Sequence, residues 1–89
     1  MTFKVFLHKN ADKFLKKLDE KTKKHLIELL RKLKDYPNIE LDVVKIAGEK
    51  DTFRLRFGKF RALFKVYESE KIIVVIKIDL RRRVYRNLP

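Results

Sequence analysis

The sequence contains no cysteine, no tryptophan and no glutamine, and only two histidines, two glycines and two prolines. Without cysteine, disulfides and thiolate chemistry are excluded. With His8 and His25 as the only imidazoles, a histidine-rich metal site is not expected, and no cofactor is implied. Carboxylates are also scarce: 12 acidic side chains face 24 basic ones, for a formal net charge of +12. No apolar run approaches the roughly 20 residues of a membrane span. Lys4, His8 and Lys9 interrupt the one apolar stretch near the N-terminus, which argues against a signal peptide. The chain therefore reads as a soluble, cytoplasmic protein with no membrane partner. No Walker loop, nucleophilic serine motif or metal-ligand cluster is present.

At 89 residues the chain reads as a single domain, 1–89, with one modest core and a stability on the order of 5–10 kcal/mol. Absence of cysteine and glutamine alongside 40% charged residues resembles the composition of thermophile proteins. The positive charge implies a polyanionic partner: nucleic acid, an anionic surface or an acidic protein. It is unevenly built. Before Gly48 there are eleven lysines and one arginine; after it, five lysines and seven arginines. Arginine's planar fork grips phosphate through two parallel hydrogen bonds, so the second half reads as the binding half. The alternative is that strands accept arginine more readily than lysine.

Alternation over 2–7 predicts an opening strand. Asn10 is the expected N-cap of a helix carrying Phe14, Leu15 and Leu18, and Asp19 that of a second. The second helix has the stripe Leu26, Leu29, Leu30, Leu33 and is expected to end at Pro37. Lysines on the exposed face of this hairpin read as a solvated surface. A connector over 38–42 leads to a short strand over 43–46, ended by Gly48. Strands follow over 52–57, 60–67 and 72–78. The fold class is α+β: an N-terminal strand and a helical hairpin packed on a mostly antiparallel sheet of four to five strands.

A symmetric hairpin at Gly58-Lys59 pairs Phe57 with Phe60, Leu55 with Ala62 and Phe53 with Phe64 on one face. The other face then sets Arg56 opposite Arg61, with Arg54 two residues along. Like charges directly opposite are destabilising, and a shared anion would remove the repulsion. Because the last strand runs back alongside 60–67, its end should bring Arg81, Arg82 and Arg83 toward Arg61. Tyr85 follows closely, and an aromatic ring beside clustered arginines suits single-stranded RNA, where bases stack and phosphates are clamped.

These residues resemble those of RelE-type toxins of bacterial and archaeal toxin–antitoxin systems, in the RelE/ParE superfamily. The likeness rests on the opening strand and helical hairpin, "KIAG", "FRLRFGKFRALFKV" and "RRRVYR", and spans nearly the whole chain. It implies a RelE-like fold and a metal-independent endoribonuclease, an mRNA interferase that cleaves messenger RNA in the ribosomal A site. The RNA's own 2′-hydroxyl attacks the adjacent phosphate. By the same resemblance Arg54, Arg56, Arg61, Arg81 and Tyr85 are catalytic, and Lys59, Arg82, Arg83 and Arg86 bind RNA. Tyr85 and Lys59 are the candidates for general base. The implied partners are mRNA on the ribosome and an acidic, RelB-like antitoxin. Two further functions compete: a non-catalytic basic protein that binds RNA or the ribosome, and a ParE-like toxin that targets gyrase.

Overall fold

A computed structural model describes residues 2–80. Chain order is β1 (Lys4–Leu7), α1 (Lys9–Lys16), α2 (Glu20–Arg31), a 3-10 turn (Lys32–Asp35), β2 (Asp42–Lys45), β3 (Thr52–Phe57), β4 (Phe60–Tyr67) and β5 (Ile72–Leu80). The five strands form one sheet in the order β1-β5-β4-β3-β2. β1 runs parallel to β5, and the other neighbours are antiparallel. The α+β class, the helical hairpin and the mostly antiparallel sheet agree with the sequence. No helix among the described residues is long and apolar enough to cross a membrane.

Local chemistry sets the helix boundaries. The expected cap at Asn10 is displaced to His8, whose Nδ1 accepts from the Asn10 backbone N–H at 3.1 Å. His8 is the residue with extended φ/ψ where the chain leaves β1, and that is what an N-cap requires. Asp19 caps α2 as expected, its Oδ2 accepting from Thr22 N–H at 3.1 Å. Hydrogen bonding to the Thr22 side chain, and after it to the Thr22 N–H, favours the ionised form and holds the exposed Asp19 carboxyl below its ordinary pKa. The α-helix stops at Arg31, before Pro37, and the 3-10 turn tightens the chain so that Leu33 is buried.

One face of the sheet carries Phe3, Leu55, Ala62, Phe64, Ile73, Val75 and Ile78, packed with Leu15, Leu26, Leu30 and Leu33 of the helical layer. Phe53 and Phe64, paired in register across β3 and β4, stack at 5.5 Å, and Tyr36 packs against both. Burial among these rings, together with the Glu68 and Asp51 carboxylates, raises the Tyr36 pKa above 10.0.

The hairpin at Gly58-Lys59 has the expected register, and Gly58 supplies the positive φ (56°) the turn requires. A β-bulge interrupts β5: Phe64 pairs with Val75 but Leu63 pairs with Lys77. Ile76 is the inserted residue, so the face presented by β5 changes parity there. Ile72 and Val74 point away from the helices in the first half of the strand, and Lys77 and Asp79 do so in the second. Ile73, Val75 and Ile78 stay buried throughout. The apolar run over 72–76 thus reflects a phase change as much as a central position in the sheet.

Candidate functional site

The bulge and the hairpin together set a row of charges across the outer face of four strands. Asp42 of β2 is in register with Arg56 of β3, Arg56 with Arg61 of β4, and Arg61 with Asp79 of β5. One step along, the parallel row is Val44, Arg54, Leu63 and Lys77. Arg54, Arg56 and Arg61 are therefore brought together as the hairpin geometry predicted. They line one small pocket of about 60 Å³ with Asp42 and Val44, room for several water molecules.

The three guanidiniums are not equivalent. Arg56 is exposed and its Nε donates to Asp42 Oδ2 at 2.6 Å. Arg54 is half-buried and flanked in register by Val44 and Leu63. Arg61 is 1% exposed, the one buried charged side chain among the described residues. It is reached from the pocket rather than from open solvent, where a cation's field is less screened by water.

This arrangement corrects one step of the sequence argument. An external anion is not needed to relieve the Arg56–Arg61 juxtaposition, because carboxylates of the chain flank it on both sides. Both had been missed. Asp42 fell in the expected connector over 38–42, whereas the strand runs from Asp42 to Lys45. Alternation of Leu41 and Val43, which pack on the core, against Asp42 and Val44 is the signal that would have placed it. Asp79 lay beyond the expected end of the last strand, which continues to Leu80.

Lys59 does not join the cluster. It sits on the hairpin turn with its Nζ 5.6 Å from the centroid of Phe60, on the helix side of the sheet. There it borders a groove with Thr22, His25, Leu26 and Leu29. His8 and His25 lie apart, one capping α1 and one in that groove. Arg81, Arg82, Arg83, Tyr85 and Arg86 are outside the described residues. Among the described residues no three His, Cys, Asp or Glu side chains are grouped to hold a metal ion.

Over residues 5–85 the chain matches the family described as the ParE toxin of the type II toxin–antitoxin system, parDE. It is 35% identical over 89 residues to the protein named "Putative toxin RelE1" of Methanocaldococcus jannaschii, covering 98% of this chain and 99% of that one. A chain of the archaeal RelE–RelB complex from Pyrococcus horikoshii superposes with a TM-score of 0.78 at 30% identity, over 93% of this chain and 99% of that one. The RelB–RelE antitoxin–toxin complex from Methanococcus jannaschii gives 0.76 at 22% identity, covering 94% of this chain and 99% of the matched one. Two helices on a five-stranded mixed sheet are common to this chain and the RelE structures.

Proposed function

The chain belongs to the ParE toxin family of type II toxin–antitoxin systems, and on that premise we propose that it is a ribosome-dependent endoribonuclease cutting mRNA in the A site. The observation that carries the reading is the convergence of Arg54, Arg56 and Arg61 on one pocket of the outer sheet face. A scissile phosphate seated there meets cations from β3 and β4. As the 2′-oxygen bonds to phosphorus, negative charge builds on the non-bridging oxygens. Preorganised guanidiniums stabilise that charge more than the ground state. The bond to the 5′-oxygen then breaks, leaving a 2′,3′-cyclic phosphate upstream and a 5′-hydroxyl downstream. The 2′-hydroxyl gives up a proton and the leaving 5′-oxygen gains one. From the resemblance, Arg81 is a further cation and Tyr85 the ring that stacks on a base and holds the nucleotide for in-line attack; Arg82, Arg83 and Arg86 add contacts to the RNA backbone, whereas Lys59, on the helix side of the sheet, is neither among them nor placed to act as general base. No step uses a metal.

The partner that silences it is an acidic antitoxin, a reading supported by the relatives seen in RelE–RelB complexes and by the charge of +12. Primer extension on a translated message, with and without the protein, tests the activity. Cuts that require translation and leave a downstream 5′-hydroxyl are expected. A downstream 5′-phosphate overturns the mechanism, and arrest without cuts leaves a non-catalytic binder. A gyrase-directed toxin is the second reading, favoured by the ParE description of the matched family; inhibition of supercoiling without loss of message would establish it.

A further inference from the structure

Asp42 has no part in the phosphate chemistry just described, yet it lines the same pocket. It is an odd residue for that place. Aspartate is depleted in strands, and a carboxylate beside an anion site repels the anion. Nor does the ion pair hold the fold together to any extent: its side chains are 47% and 44% exposed on an edge strand and its neighbour, where such pairs contribute little. What the contact does is geometric. Asp42 Oδ2 takes the Arg56 Nε–H at 2.6 Å. With Nε engaged by Asp42, the Nη1/Nη2 edge of the guanidinium is the edge left to a ligand, and that edge is a fork that fits two phosphate oxygens.

We infer that Asp42 is a positioning residue, fixing the Arg56 fork toward a phosphodiester; this rests on the phosphate site proposed above. Without Asp42 the long arginine side chain samples many rotamers, and ordering it on binding costs affinity. The added repulsion of Asp42 is what the molecule tolerates for that order.

The test is fluorescence anisotropy of the full chain with a fluorescein-labelled, 2′-O-methylated single-stranded RNA at fixed ionic strength. This RNA can bind but lacks the attacking hydroxyl. Asp42→Asn and Asp42→Ala carry equal charge, and only the first keeps an oxygen that accepts from Arg56 Nε. Asp42→Asn is expected to bind about two- to fivefold tighter than Asp42→Ala. The difference should vanish when both are made on an Arg56→Ala background. Equal affinities overturn the inference, as does a difference that survives without Arg56. Cleavage lost in Asp42→Asn while RNA binding holds would assign Asp42 to proton transfer and overturn it too. If Asp42→Ala melts below the assay temperature, Asp42→Val, suited to an edge strand, replaces it. The two levels separate cleanly. Arg56→Ala binding as tightly as the parent removes the phosphate site itself. Weak binding by Arg56→Ala, with the two Asp42 variants equal, removes only the role of Asp42.

Discussion

Arg56 and Arg61 lie directly opposite each other across β3 and β4, and each has an aspartate in register on its other side, Asp42 for Arg56 and Asp79 for Arg61. The alternation turns a like-charge contact into a four-strand row of acid, base, base, acid. Opposite charges across neighbouring strands are favourable by about as much as like charges are unfavourable. The row therefore offsets the like-charge opposition without an external anion, although the exposed Asp42–Arg56 pair adds little to the stability of the fold.

Arg61 carries the first prediction. Opposition to Arg56 alone would make Arg61→Ala neutral or slightly stabilising. Its 1% exposure reverses the sign. Truncation leaves a cavity and removes the cation facing Asp79, at a cost of about 1–3 kcal/mol. Melting should fall by roughly 5–20 °C, and translation arrest should be lost. Arg61→Lys restores charge and most of the volume, so it should regain stability. Lysine lacks the planar fork, so little arrest should return. Arrest equal to the parent in either variant removes Arg61 from the site.

Arg54 separates function from stability more cleanly. It is half-buried, between Val44 and Leu63 on its neighbouring strands. Arg54→Gln keeps the aliphatic stem that covers them and should change stability by no more than about 0.5 kcal/mol. Cleavage of translated message should nevertheless drop at least tenfold. Thermal melting and primer extension on the same preparation check both halves.

The hairpin was legible because a two-residue turn leaves one register that buries Phe53, Phe57, Phe60 and Phe64 together. The Arg56–Arg61 opposition followed from it. What sequence could not supply was non-local. β1 pairs in parallel with β5, some 68 residues away, as in Lys4 with Ile72, and no periodicity records such a contact. The bulge at Ile76 is invisible in an unbroken apolar run, yet it turns Asp79 to the arginine side. Asp42 reads as loop by propensity; the alternation around it hints at a strand, and its pairing with Arg56 on β3 makes it one. The first helix is capped by His8 rather than the expected Asn10, because that is where β1 releases the chain.

Two pH dependences follow from displaced pKa values. Asp19 has a lowered pKa from hydrogen bonding to Thr22, chiefly its side chain and then its backbone N–H. Its contribution is present above the unfolded value near 3.8 and is lost as pH falls through the lower folded value. The melting difference between the parent and Asp19→Ala should therefore be largest at neutral pH and close in strong acid. Tyr36 has a raised pKa, chiefly from burial. Its contribution is complete below 10.0 and is lost as pH rises through the higher folded value. Tyr36→Phe should flatten the alkaline loss of stability. An unchanged alkaline limb in urea titrations would remove Tyr36 as its source.

The outer face also predicts how the antitoxin sits. Beyond the arginine row, Ile72 and Val74 of β5 are flanked by Phe6 of β1 and Tyr67 of β4, which are 51% and 39% exposed. Lys4 and Lys65 border them, and the Lys65 ammonium lies 5.6 Å from the Tyr67 ring centroid. An apolar strip rimmed by cations suits the apolar face of an acidic amphipathic segment. Burial of Phe6 against such a segment contributes about 1–2 kcal/mol, so Phe6→Ala should weaken the complex roughly five- to thirtyfold. Phe6→Glu should weaken it further, because it adds like charge to an acidic partner. Neither change touches the arginine pocket, so both variants should arrest translation like the parent when the antitoxin is absent and escape it when it is present. Light scattering of the isolated chain should report a monomer, and the complex should loosen as salt is raised, since the net charge is +12. A homodimer that shields Phe6 and ignores a co-expressed acidic neighbour would assign this face to self-association instead.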